Sequence, residues 1–129
     1  MKIAIFENEY DTVEMAFKYL NKKYYNSSLI FENYPRSDSF SDIRKLNNYK
    51  LIIIDLDLSS QSLLDGFGLI RKIEQNMENP PQILILTGQN LSDNYNIENN
   101  LNKKYPVLEK PINYNKLYKK FSELNIIKE

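Results

Sequence analysis

Leu51-Ile52-Ile53-Ile54-Asp55-Leu56-Asp57 is the stretch that decides the fold. Four aliphatic residues run without a polar break, as in a strand covered on both faces of a parallel sheet, and the run stops on a carboxylate. Ile3 to Phe6 has the same character and leads into Glu7-Asn8-Glu9. Ile83 to Leu86 repeats it and ends on Thr87-Gly88, and the weaker pair Val107-Leu108 leads to Glu109-Lys110-Pro111. A fifth, shorter candidate, Leu29 to Phe31 closed by Tyr34-Pro35, is flanked by polar residues and suits a sheet edge.

Helical spacing fills the intervals. Val13, Ala16, Phe17 and Leu20 recur at i, i+3, i+4 and i+7, with Asp11 and Glu14 resembling a capping box ahead of them. Phe67, Ile70, Ile73 and Met77 make a second stripe, and Leu117, Phe121 and Leu124 a third. Weaker helices are predicted at 41–46 and 92–103. The second contains Asn94, Asn96, Asn99, Asn100 and Asn102. At about 0.7 kcal/mol per Asn against Ala, that segment is weakened by roughly 3 kcal/mol and needs tertiary packing to hold it. Five alternations of strand and helix predict a parallel sheet with helices on both faces, joined by right-handed crossovers.

The bulk composition narrows the chemistry. The 129 residues are predicted to form one domain, 1–129, with no output domain. Cys and His are both absent, which removes thiolate and imidazole metal sites and the commonest general base. Carboxylates, hydroxyls, Lys and backbone remain. Lys plus Arg balances Asp plus Glu at 17 each, so no net basic field recommends nucleic acid as a partner. Lys22-Lys23, Lys103-Lys104 and Lys119-Lys120 read as solvated faces. No apolar run approaches a membrane span and no signal-peptide pattern opens the chain, so a cytoplasmic location without membrane contact is expected. The seventeen Asn residues read as a compositional bias and carry no functional weight.

Position is the informative feature. Glu7, Asp55, Thr87 and Lys110 each follow a different predicted strand. In open α/β sheets, ligands bind beyond the carboxyl ends of the strands. Two carboxylates, a hydroxyl and an ammonium are thus delivered to one rim.

These residues resemble the receiver domain of two-component response regulators over essentially the whole chain. The acidic cluster Glu7-Asn8-Glu9, Asp55-Leu56-Asp57, Asp65-Gly66-Phe67, Leu86-Thr87-Gly88 and Glu109-Lys110-Pro111 occur in the family's order, with Thr87 and Lys110 separated by 23 positions. The resemblance implies a flavodoxin-like sheet of order 2-1-3-4-5. It also implies that Asp55 is the phosphoacceptor, taking a phosphoryl group from the phosphohistidine of a sensor histidine kinase or phosphotransfer protein. Thr87, Gly88 and Lys110 would face the phosphoryl group. Glu7, Asp55, the Asp57 backbone carbonyl and Asn8 would be the oxygen ligands of Mg²⁺. The Lys110-Pro111 bond would be cis. Output would pass to a downstream protein target through protein contacts, without turnover of an external substrate. Asp57 and Gln89 stand where the family tunes the lifetime of the acyl phosphate.

Three departures accompany the resemblance. Asn8 stands where the family usually has a second acid, which implies weaker Mg²⁺ binding. The loop from Asp55 to Gly66, through Ser59-Ser60-Gln61-Ser62-Leu63-Leu64, is longer than usual. Val107 replaces the usual aromatic residue before the Lys, and Tyr105, two positions earlier on the same face, is expected to pack. Tyr10, Tyr24, Tyr25, Tyr95 and Tyr114 are likewise expected to pack. Two other readings stay open at this point: a degenerate receiver that binds partners without phosphorylation, and a haloacid-dehalogenase-type phosphatase. The latter lacks an acidic motif after Lys110. Gly66-Phe67-Gly68 is no phosphate loop, since it lacks the third glycine and lies far from the first strand.

Overall fold

The computed structural model describes residues 1–39, 42–58 and 62–127. Five strands, β1 (Lys2–Phe6), β2 (Ile30–Tyr34), β3 (Leu51–Asp55), β4 (Gln82–Thr87) and β5 (Val107–Glu109), form one sheet in the order β2-β1-β3-β4-β5. Every neighbouring pair is parallel. The continuous apolar runs are the interior strands, as their composition requires: all five residues of β3 are buried, as are four of five in β1 and five of six in β4.

Four α-helices cover the sheet: α1 (Glu14–Tyr24), α2 (Gly66–Asn76), α3 (Tyr95–Glu98) and α4 (Tyr114–Glu123). Alternate strand residues feed two cores. Ala4, Phe6, Ile52, Ile54, Ile83 and Ile85 pack with Leu69, Ile70 and Ile73 of α2 and with Tyr95 of α3. Ile3, Ile5, Leu51, Ile53, Leu84 and Leu86 pack with Phe17 and Leu20 of α1 and Leu117 and Phe121 of α4. This is the two-faced burial that a βα alternation demands.

Several sequence expectations are adjusted. The edge strand extends over Ile30–Tyr34 rather than Leu29 to Phe31. Its polar residues are tolerated because they find partners: the Asn33 side-chain amide donates to the carbonyls of Ile5 and Glu7 at 3.1 and 3.0 Å, and Glu32 accepts from Tyr34 and Tyr49. The Asp11–Glu14 capping box does not form. A 3₁₀ turn at Tyr10–Thr12 comes first, so α1 starts after Val13 with no side-chain cap, and Glu14 pairs instead with Lys18 at 2.8 Å. The second crossover is 3₁₀ structure, Ser37–Ser39 and Ile43–Asn48, rather than α-helix, and Asp42 caps its longer segment by accepting from Arg44 N–H. Ser41 of the expected helix and Ser59, Ser60 and Gln61 of the long loop lie outside the described residues.

The Asn-rich segment predicted at 92–103 keeps only one turn of helix, Tyr95–Glu98. Asn100 ends it with φ 57°, while the N–H groups of Asn100 and Leu101 bond the carbonyls of Ile97 and Asn96 at 3.2 and 2.8 Å. That is a Schellman end with Asn in the left-handed position. Tertiary ties then hold the turn. Tyr95 donates its hydroxyl to the Tyr105 carbonyl at 2.7 Å, and the Arg71 guanidinium of α2 donates to the Asn99 carbonyl at 2.8 Å. Among the described residues no helix is long and apolar enough to cross a membrane.

Candidate functional site

Asp55 is the last residue of β3, and its place at the rim follows from the strand: Ile54 and Asp55 pair in register with Ile85 and Leu86 of β4. The chain then turns sharply. Leu56 N–H donates to the Leu86 carbonyl at 3.0 Å, and Asp57 N–H donates back to Asp55 Oδ1 at 3.1 Å. Gly66 closes this turn from the other side. A methyl group there would come within 2.6 Å of both the Asp55 carbonyl oxygen and the Leu56 Cα, so the first residue of α2 must lack a side chain. Asp65 secures the helix by accepting from Gly68 N–H at 2.7 Å, the N-cap its residue type favours.

Glu7 follows β1 directly and is turned inward, 1% exposed against 2% for Asp55. Its Oε1 accepts from Glu9 N–H at 3.1 Å. Lys110 comes from β5. Its backbone N–H donates to the Thr87 carbonyl at 2.8 Å, which ties it beside the end of β4, and its Nζ reaches across to Asp55 Oδ2 at 3.2 Å and Glu7 Oε2 at 2.7 Å. Thr87 is fully buried, and its Oγ1 accepts from Gln89 N–H at 3.0 Å. The ends of four separate strands therefore meet at one rim. Asn8, Asp57, Gly88 and Gln89 are all exposed along it. A methyl group at Gly88 would meet nothing within 4 Å. The Lys110-Pro111 bond is cis.

Two nearly buried carboxylates share one ammonium. Burial, the largest influence, and the neighbouring Asp55 carboxylate push the Glu7 pKa above its ordinary value, while Lys110 opposes them. Burial pulls Lys110 down, but its contacts with Glu7 and Asp55 outweigh burial and hold the ammonium above the usual lysine range. Glu7 Oε2 sits close to Nζ yet accepts no aligned hydrogen bond from the described residues. A buried oxygen in that position, next to a second carboxylate, has the donor chemistry of a hard-cation site. Glu7, Asp55 and the Asp57 carbonyl are the residues that could hold such an ion. Among the described residues no group of three acidic side chains is placed to hold a metal ion.

Tyr105 packs, as expected of it. It is 8% exposed, and its hydroxyl donates to Glu74 Oε2 of α2 at 2.6 Å. Neither this partner nor the Ser37–Ser62 link could be read from the sequence. Ser37 N–H donates to Ser62 Oγ at 2.8 Å, and Leu64 N–H donates to Ser37 Oγ at 2.9 Å, which fastens the long loop after β3 to the segment after β2. Both pairings join residues more than twenty positions apart through polar side chains, which leave no periodic signal.

Solved structures share this architecture. A two-component response regulator from Clostridium difficile is similar with a TM-score of 0.72 and 20% identity, over 98% of this chain and 96% of that one. A CheY-like receiver domain protein from Methanospirillum hungatei JF-1 gives 0.68 and 17%, over 97% and 94%. The chemotaxis protein CheY4 of Vibrio cholerae gives 0.69 and 15%, over 95% and 97%. The fold is the receiver fold. The shared feature is the five-stranded parallel sheet of order 2-1-3-4-5 with helices packed on it. No family model and no curated protein matches the sequence.

Proposed function

We propose that this chain is a phosphoacceptor receiver of a two-component system and that Asp55 carries the phosphoryl group. One observation carries the reading: a single ammonium, anchored through its backbone to Thr87, bridges Asp55 and Glu7 at 3.2 and 2.7 Å. A carboxylate becomes a usable phosphoryl acceptor when the charge gathering on the phosphoryl oxygens is compensated. Lys110 supplies one positive charge at that place, and Thr87, at the end of the neighbouring strand β4, would supply a hydroxyl. In the transfer, an Asp55 carboxylate oxygen forms the new P–O bond. The P–N bond to the imidazole of a kinase or phosphotransfer protein breaks, and its electron pair stays on the departing nitrogen. Asp57 N–H holds Oδ1, so Oδ2, on the Lys110 side, is the attacking oxygen. Bound at Glu7, Asp55 and the Asp57 carbonyl, Mg²⁺ would neutralise phosphoryl charge. Asn8 next to Glu7 leaves that site one charge poorer than the resemblance implies, so weak metal affinity is part of the proposal. The phosphorylated chain signals to a protein target by contact.

Incubation with a small-molecule phosphodonor and Mg²⁺, followed by intact-mass measurement, tests this. One phosphoryl adduct on the native chain and none on Asp55→Asn is the expected pair of results. A folded native chain that stays unmodified under saturating donor would leave a second reading. In it Asn8 marks a receiver that binds its partners without phosphorylation.

A further inference from the structure

Away from the Asp55 rim, α1 and α4 lie side by side, and their outer surface departs from an ordinary solvated face. Tyr19, Lys22 and Lys23 of α1 and Tyr114 of α4 line a groove of about 500 Å³. Tyr24 and Tyr118 stack across the two helices with ring centroids 3.7 Å apart and planes within 7°. Lys23 Nζ lies 5.0 Å from the centre of the Tyr114 ring and 5.4 Å from that of Tyr24. Tyr19 and Tyr118 are 52% and 38% exposed, and Met15, one turn before Tyr19, is 53% exposed. Exposed Tyr and Met gathered on one face are the residues that interface cores favour.

Charge selects the occupant. Glu14 and Glu123, the acidic residues of these two helices, are already engaged with Lys18 at 2.8 Å and Lys120 at 3.5 Å. Among the described residues, neither Lys22 nor Lys23 makes an ion pair. The groove thus offers aromatic faces and two ammonium groups without carboxylate partners. A nucleic-acid strand fits poorly, because a run of phosphates needs a longer cationic track than Lys22 and Lys23 provide in this groove. A protein segment with a few carboxylates and apolar side chains fits well, and a groove between two packed helices accepts a third.

We infer that the α1–α4 groove docks an acidic amphipathic helix of a partner protein, with carboxylates on Lys22 and Lys23 and apolar side chains on Tyr19, Tyr114 and Tyr118. The site is separate from Asp55 and does not depend on its phosphorylation.

The test is a titration of the ¹⁵N-labelled chain with a synthetic peptide bearing Glu and Leu at i, i+3 and i+4 helical spacing. Its controls are the same peptide with Lys for every Glu, a poly-uridine oligonucleotide, and sedimentation of the chain alone. Saturable amide shifts confined to residues 19–24 and 114–118 are expected with the acidic peptide only. Affinity should fall about tenfold in Lys22→Glu/Lys23→Glu and in Tyr19→Ala, and stay unchanged in Asp55→Asn. Shifts centred elsewhere, no saturable binding, equal response to the Lys peptide or preference for the oligonucleotide would each overturn the inference. So would self-association of the chain through this face.

Discussion

Lys110 is the residue on which the site turns, because it answers two buried carboxylates with one charge. On the proposed reading, Asn8 then limits how much charge remains for a metal ion. At about 4 Å and an effective dielectric near 20, one unit-charge pair is worth roughly 4 kcal/mol before desolvation is subtracted, so a third carboxylate has a measurable effect. Asn8→Asp should tighten Mg²⁺ binding by about tenfold or more, read by calorimetric titration. Equal affinity in the two proteins would remove position 8 from the metal shell. At this scale the sequence was readable wherever a strand ended on an unusual residue: Glu7, Asp55, Thr87 and Lys110 come to one rim as their positions implied. Gly66 was visible only as a motif member, since its tight approach to the Asp55 carbonyl depends on how the loop folds back. Ser37 and Glu74 were not visible at all, because polar side chains that meet across loops carry no periodicity.

Among the elements, β2 is the most exposed strand, and a small network holds it in place. Tyr49 and Tyr34 donate their hydroxyls to Glu32 Oε2 at 2.6 and 2.8 Å, and Lys2 Nζ lies 3.0 Å from Oε1. These contacts, the Tyr49 hydroxyl first, hold the Glu32 carboxyl down at about 2, while burial and Glu32 push the Tyr49 phenol far above its ordinary range. A carboxyl depressed from 4.5 to about 2 stabilises the fold fully above pH 4.5, and that contribution disappears as the pH falls through about 2. Glu32 is half-exposed, so solvent screens the effect. Tyr49→Phe should therefore cost about 1 kcal/mol at neutral pH, a gap that narrows towards pH 2, together with faster amide exchange along β2. A gap of constant size from pH 2 to 7 would assign the loss to packing alone. Elements of strong period were legible, and those built from Asn were misread. Asn26, Asn100 and Asn125 all adopt positive φ just beyond α1, α3 and α4. The chain has only three glycines, and Asn takes their usual place at helix ends. What looked like compositional bias thus shortens α3 and terminates α4.

For the molecule as a whole, the rim is where the fold carries an electrostatic cost. The interior strands bury almost purely aliphatic residues, whereas Glu7 and Asp55 are taken out of water with one ammonium between them. Two nearly buried carboxylates against one partly exposed ammonium leave negative charge that is unfavourable unless something further neutralises it. Asp55→Asn removes that excess and leaves the Glu7–Lys110 pair intact. The variant should be more stable than the native chain by about 1 kcal/mol, a rise of roughly 3–6 °C in Tm for a domain of this size. Lys110→Met should act in the opposite sense, costing about 3 kcal/mol, because it strands both carboxylates. Saturating Mg²⁺ adds a term of its own: a cation that binds only the folded state stabilises the native chain, and Asp55→Asn much less, so the gap between them should close. Thermal melts of the three proteins with and without Mg²⁺ measure all of this at once. If Asp55→Asn melts lower than the native chain, the hydrogen bond from Asp57 N–H and the Lys110 contact outweigh the charge they hold. Asp55 would then be a structural carboxylate, not one kept at a cost for a phosphoryl group.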